Sequence, residues 1–133
     1  MPTYYDVDID LEVVHSVISG DVTADDLRDN MFSIHHDPRV QPHFGTLVDL
    51  SRVISLDMDF EALAALSDFY FSDAVPRMTG RLAYYVPERD VIYGLTRQLH
   101  ALLNDEDRIE VFTDMAKARD WLGLPPEEGP RDA

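Results

Sequence analysis

The sequence predicts an α/β protein in which a mixed β-sheet packs against about four α-helices. Short β-favouring runs alternate with longer stretches whose apolar residues recur at helical spacing, which is typical of α/β layer folds. The run 46–48 is apolar and short enough to be a strand buried on both faces, as central strands of such sheets are. The predicted element order is therefore ββαβαβαβα.

Composition limits the class of protein. The chain has 133 residues, no cysteine and a formal charge of −15, and the length fits one domain. We assign that domain to residues 1–124 and expect the proline-rich tail at 125–133 to be disordered. A strongly acidic surface repels phosphate groups, which argues against nucleic-acid binding and favours a basic partner. No apolar run approaches the roughly 18 residues of a membrane span, and the acidic N-terminus lacks signal-peptide features, so we expect a cytoplasmic protein.

The first third of the chain predicts two strands and a helix. Apolar and acidic residues alternate from Tyr5 to Leu11, the pattern of a strand with one wet face. A second, antiparallel strand is expected over Val13 to Ser19, with Gly20 closing it. Thr23 and Asp26 then form a capping-box pattern that begins the first helix.

The remaining elements follow from the same signals. We expect a loop over 35–44, the buried strand over 46–48, and a second loop that leads to a helix capped by Asp59 or Asp57 and running to about Phe71. A strand over 82–86, a helix opening at 88–90, a strand over 109–112 and a helix capped by Asp114 complete the domain, with Gly123 at its end.

Two phrases carry a family resemblance. Residues 47–57, LVDLSRVISLD, and residues 109–124, IEVFTDMAKARDWLGL, resemble a SpoIIAA-like protein of the STAS superfamily. Many bacterial members share the pattern carried here by Phe112, Ala118, Trp121 and Leu122. The resemblance covers about residues 4–124 and implies a small mixed sheet backed by helices. Its motifs are mostly core and capping residues, so they indicate fold better than function.

The resemblance implies a non-catalytic regulatory domain that binds a protein partner or a second copy of itself. Its relation to SEC14-like proteins implies the alternative, a carrier of a hydrophobic small molecule or lipid. In the anti-sigma-factor antagonists of this group, a phosphorylatable serine follows the Asp-Leu-Ser strand. Asp59 stands at that position here, which predicts that the serine phosphoswitch is absent. Asp59 then acts either as a helix cap or as a permanent mimic of the phosphorylated state, and Ser51 and Ser55 are expected to be loop residues.

Aromatic residues support the small-molecule alternative. Phe69, Tyr70 and Phe71 are consecutive on the second helix and cannot all face one core, because neighbours are about 100° apart. Either one ring is exposed to a partner or the helix end lines a pocket between the second and third helices; the alternative is an aromatic-rich core with one ring at its rim. The predicted partner- or ligand-binding residues are Asp49, Ser51, Asp57, Asp59, Phe60, Tyr70 and Tyr85.

Catalysis and metal binding are not predicted. The sequence contains none of the common nucleotide-binding or hydrolase motifs, so we expect neither an enzyme nor a cofactor. His35, His36 and His43 lie near Asp37 and suggest a zinc site, but adjacent histidines point apart and the prolines at 38 and 42 restrict the loop. We therefore expect a solvated loop rather than a metal site.

Overall fold

The structure is a computed structural model that describes residues 3–76, 78–87, 90–103 and 107–126. In these ranges the chain forms β1 (Thr3–Asp8), β2 (Val13–Thr23), α1 (Ala24–His35), β3 (Gly45–Asp57), α2 (Phe60–Tyr70), β4 (Leu82–Tyr85), α3 (Asp90–Leu103), β5 (Ile109–Phe112) and α4 (Met115–Trp121). The predicted α/β class and element order are confirmed. The predicted helix opening at 88–89 and most of the tail, from 127, lie outside the described residues. Among the described helices, none has the length and apolar character needed to cross a membrane.

The strands form one mixed sheet in the order β1-β2-β3-β4-β5. β1 is antiparallel to β2, as predicted, and the other neighbouring pairs are parallel. Parallel neighbours need crossover connections, which α1, α2 and α3 supply. Because crossovers share one hand and the strand order always advances in one direction, these three helices pack on the same face of the sheet. α4 follows the last strand and packs on the opposite face, against β4 and β5.

Two apolar clusters hold these layers together. The larger lies under α1, α2 and α3 and includes Ile18, Val48 and Leu63, whereas the smaller joins Leu47 and Ala83 to α4. Adjacent residues Leu47 and Val48 thus enter opposite clusters, because side chains alternate along a strand. The prediction that 46–48 is a central strand buried on both faces is confirmed.

The prediction of a loop after Asp49 is wrong. β3 continues to Asp57, and β2 continues past Gly20 to Thr23, so the two strands remain paired from Val13↔Gly45 to Thr23↔Asp57. Two register shifts, at Val17/Ser19 and Gly20/Asp21, interrupt the ladder. Polar residues in this stretch resembled a loop in the sequence, but they belong to strands that bulge and curve as they leave the core.

The first strand is also shorter than predicted. β1 ends at Asp8, whose Oδ1 accepts a hydrogen bond from the Leu11 amide at 3.0 Å. This contact forms a turn, in which Glu12 has a φ of 56°. Ile9 and Leu11, predicted to continue the buried face of the strand, are therefore exposed.

Three helix starts match the predicted caps. Thr23 and Asp26 form a complete capping box at α1, and Asp114 accepts hydrogen bonds from the Ala116 and Lys117 amides at α4. At α2 the cap is Asp59, not Asp57. Gly123 follows α4 with a φ of 77°, a conformation that favours glycine.

Candidate functional site

Four of the predicted site residues lie at opposite ends of α2. Asp57 ends β3 and is exposed, and the next helix begins with Asp59, whose Oδ1 accepts the Ala62 amide at 2.9 Å. Phe60, in the first turn, is 61% exposed. Tyr70 is the last residue of the helix, roughly 15 Å from Phe60 along the axis. These residues therefore do not form one site.

The other three predicted residues lie together on the α4 side of the sheet. Asp49 and Tyr85 are register partners on β3 and β4. The Ser51 hydroxyl and amide both donate to Asp49 Oδ1, at 2.6 and 2.9 Å, which braces the β3 bulge. Tyr85 packs against the small apolar cluster under α4. Ser51 and Ser55 are strand residues rather than loop residues, and the Ser55 hydroxyl donates to Asp21 Oδ1 on β2 at 2.7 Å.

A cavity of about 80 Å³ lies on the other side of the sheet, lined by residues of α1, α2, α3 and the sheet. Its wall is mostly apolar. It is lined by Ile18, Leu27, Asn30, Met31, Ile34, His35, Thr46, Val48, Leu50, Leu56, Met58, Leu63, Leu66, Tyr70, Met78, Gly80, Leu82, Tyr84, Leu95, Thr96, Leu99 and Arg108. Tyr70 is the one predicted site residue on this wall. The cavity lies between the second and third helices, and α1 and the sheet also line it.

Polar groups on the cavity wall differ in their hydrogen bonding. The Ser16 hydroxyl donates to Asn30 Oδ1 at 3.0 Å, and the Thr96 hydroxyl donates to the Ile92 carbonyl at 2.7 Å. Tyr84 is only 7% exposed, yet its hydroxyl makes no hydrogen bond within the described ranges. Since every fully enclosed side-chain N or O atom of those ranges has a partner, the Tyr84 hydroxyl opens onto the cavity. Burial raises the pKa of Tyr84, so this hydroxyl stays protonated at neutral pH.

An open cleft of about 1000 Å³ adjoins the cavity. Four residues line both spaces and form what we call the junction: His35, Tyr70, Met78 and Arg108. The outer wall of the cleft comes from the connection between α2 and β4, including Phe71, Ser72 and Pro76. The junction therefore lies between an apolar interior and a polar opening.

Hydrogen bonds to Gly80 and Tyr70 anchor Arg108 at the junction. Its Nη1 donates to the Gly80 carbonyl at 2.9 Å and its Nη2 donates to the Tyr70 hydroxyl at 2.5 Å. Gly80 is required here because a Cβ at this position would collide with the Phe44 carbonyl. The anchor thus depends on a close approach between two backbone segments.

The three histidines do not converge. His35 Nδ1 and His36 Nε2 donate to the carbonyls of Pro76 and Ala74, at 2.9 and 2.7 Å, which ties α1 to the connection between α2 and β4. His43 Nε2 lies 3.2 Å from Glu12 Oε2. Within the described ranges no group of three potential ligands could hold a metal ion. The prediction of a solvated loop is wrong for His35, which ends α1, is part-buried and has a lowered pKa because of that burial.

The side chains of the three consecutive aromatic residues lie in three different places, as the helical geometry requires. Tyr70 lines the cavity, Phe71 is exposed on the cleft, and Phe69 stacks near Phe32 of α1 with ring centroids 6.5 Å apart. Sequence reasoning did not select His35, Tyr84 or Arg108 as cavity residues. Tyr84 alternates with Tyr85 on β4, so strand periodicity could have assigned one tyrosine to each face. Nothing in the sequence indicates that Arg108 meets Tyr70.

The comparisons with known proteins leave the family open, because no family model and no curated protein matches the chain.

Proposed function

We propose that this protein is a non-catalytic binding domain that holds a small apolar molecule in the cavity under α1, α2 and α3. The observation that supports the proposal is the cavity itself. Most of its wall is apolar, and the junction residues line both the cavity and the open cleft. Ligand sites are commonly concave and apolar, with a few polar groups that orient the ligand.

The energetic cost of an unfilled interior supports this function. Protein cores pack as densely as organic crystals, and empty volume costs about 24 cal/mol per Å³ in a well-studied series. On that scale a dry void of about 80 Å³ costs about 2 kcal/mol. A molecule that fills it recovers contacts that the protein alone does not make.

Ligand size follows from the volume. A dry cavity of about 150 Å³ is large enough to hold benzene, so about half that volume suits an aliphatic chain of about four carbons. Pentan-1-ol, whose last four carbons would fill the cavity while its hydroxyl end lies at the junction, is therefore a suitable first probe. It should raise the melting temperature of the full chain, because it binds the folded state alone.

A matched pair of variants tests whether that effect arises in the cavity. Met31 lines the cavity from α1, whereas Met115 packs against the small cluster under α4. Met31→Trp should fill the cavity and abolish the rise in melting temperature, and Met115→Trp should retain it. An absent rise in the wild type, or an equal loss in both variants, would contradict the proposal.

A second candidate is binding to a protein partner or a second copy through the start of α2. The exposed side chains of Phe60 and of Ile54, which is 77% exposed on β3, support it. The element order and mixed sheet are also consistent with the SpoIIAA-like class, whose members bind partner proteins. The net charge of −15 favours a basic partner over a second copy.

Cross-linking and sedimentation velocity of the full chain would test this candidate, alone and with a partner captured from cell extract. Phe60→Ala should remove the complex if this surface is the interface. Phe71→Ala is the control, because Phe71 is also exposed but lies at the other end of α2. A complex that survives Phe60→Ala would rule out this surface.

A further inference from the structure

Two tyrosine hydroxyls face the cavity, that of Tyr70 at the junction with the cleft and that of Tyr84 on the wall formed by the sheet. The Tyr70 hydroxyl accepts from Arg108 Nη2, so its own proton is directed toward another acceptor. The Tyr84 hydroxyl opens onto the same cavity without a hydrogen bond in the described part of the chain. Two hydroxyls thus face a space whose other walls are mostly apolar.

One junction residue, Arg108, is a cation. Burial lowers the pKa of His35, and the nearby Arg108 charge lowers it further, so His35 is neutral at pH 7. The same guanidinium opposes the effect of burial on the pKa of Tyr84. Arg108 therefore supplies the positive charge at the junction, in a protein whose net charge is −15.

We infer that the cavity takes a short-chain monocarboxylate, whose carboxylate accepts hydrogen bonds from the Tyr70 and Tyr84 hydroxyls beside Arg108. This inference rests on the proposed function and specifies its ligand class. A carboxylate accepts hydrogen bonds only, which suits the donor hydroxyls of Tyr70 and Tyr84, and charge-assisted hydrogen bonds are about twice as strong as neutral ones. The aliphatic tail, of about four carbons, lies among the leucines under α2 and α3. A second carboxylate on the tail would be buried without a partner, so the ligand carries only one.

Titration of the full chain with pentanoate and with pentanamide tests the inference. The two probes have nearly the same shape, but pentanamide is neutral and replaces one acceptor oxygen with a donor group. Pentanoate should bind roughly tenfold or more tightly at neutral pH, since hydrogen bonds from protein donors are stronger to a charged acceptor.

Three tyrosine variants test whether that preference depends on the Tyr70 and Tyr84 hydroxyls. Tyr84→Phe removes a hydroxyl without a partner in the described residues, so it should leave the fold intact and reduce the preference for pentanoate several-fold. Tyr70→Phe, which also removes a hydrogen-bond acceptor of Arg108, should reduce the preference from the opposite wall. Tyr85→Phe is the matched control: Tyr85 is next in sequence but faces α4, so the preference should not change.

The outcomes separate the two proposals. Equal affinity for both probes, or a preference that survives both Tyr84→Phe and Tyr70→Phe, overturns the carboxylate inference while leaving the cavity as the binding site. If neither probe nor pentan-1-ol binds, the proposed function fails as well.

Discussion

Several carboxylates in this protein accept hydrogen bonds from its own backbone amides. Asp26, Asp59 and Asp114 each accept an amide at a helix start, and Asp8 does so in the turn after β1. These groups satisfy amides that would otherwise lack partners. Part of the acidic surplus is therefore structural, which weakens the case for assigning each acidic pair a role in recognition.

Substitutions of Asp59 test its role as a helix cap directly. Asp59→Ser should change the free energy of unfolding by ~0.5 kcal/mol or less, because serine also caps well, whereas Asp59→Ala should cost ~1 kcal/mol. Urea denaturation of the three proteins measures both differences. If serine proved as costly as alanine, the carboxylate would act through its charge, as a phosphate mimic would, instead of as a cap.

The contribution of Asp37 to the stability of the fold should depend on pH. Its carboxylate, 8% exposed, accepts hydrogen bonds from the Arg39 side chain and amide and from the Tyr5 hydroxyl. The Arg39 hydrogen bonds hold the pKa of Asp37 far below its ordinary value. Because the folded pKa is depressed, the stabilisation is fully present above the unfolded pKa of about 3.9 and is lost as pH falls through the folded value.

Urea denaturation of Asp37→Asn at pH 7, 4 and 2.5 measures this effect. The variant should be less stable than the wild type at pH 7, and the difference should shrink at pH 2.5. Asp25→Asn is the control, since Asp25 forms an exposed pair with Arg28 that contributes little. A difference that stays constant with pH would show that Asp37 acts through shape alone.

At the scale of elements, the least regular feature is the long β2–β3 pair. Gly20 lies at its second register shift with a φ of 76°, where other residues are strained. Its missing side chain would meet no atom within 4 Å, so any cost of substitution lies in the backbone. The glycine thus permits the bulge that curves the pair away from the core.

Two glycine substitutions should have opposite effects. Gly20→Ala should destabilise the fold by about 1 kcal/mol through its left-handed backbone. Gly94→Ala should stabilise it by about 0.5 to 1 kcal/mol, because Gly94 is an exposed residue inside α3 with open space around it. Thermal melts of both variants show whether each substitution lowers or raises the melting temperature. A destabilising Gly94→Ala or a neutral Gly20→Ala would contradict this description of the two elements.

Local signals predicted the elements well and their lengths less well. The capping box at Thr23 and the caps at Asp59 and Asp114 depend on nearby residues, so the sequence contains them in full. The extension of β3 to Asp57 depends instead on pairing with β2, which is more than thirty residues away in sequence. The junction could not be predicted in this way, because β4 and α3 separate Tyr70 from Arg108 in the sequence and no local pattern joins the two residues.

Across the whole molecule, the two faces of the sheet differ in helical cover. Three helices cover one face and leave a cavity, whereas α4, with seven residues, packs on the other over the cluster of Leu47, Ala83 and Ala118. The predicted site residues Asp49, Ser51 and Tyr85 lie on the α4 side, and Tyr70 alone lies on the cavity. This asymmetry leads us to propose the three-helix side as the ligand-binding layer.

The most direct test of that proposal is intermolecular nuclear Overhauser measurement between bound pentan-1-ol and the protein's methyl groups. We predict contacts from the terminal methyl of the probe to Leu63, Leu66 and Leu99, which line the cavity. No contacts should appear to Ala118 or Leu122, which belong to the α4 layer. Contacts confined to the α4 layer, or none at either layer at saturating probe, would contradict the account.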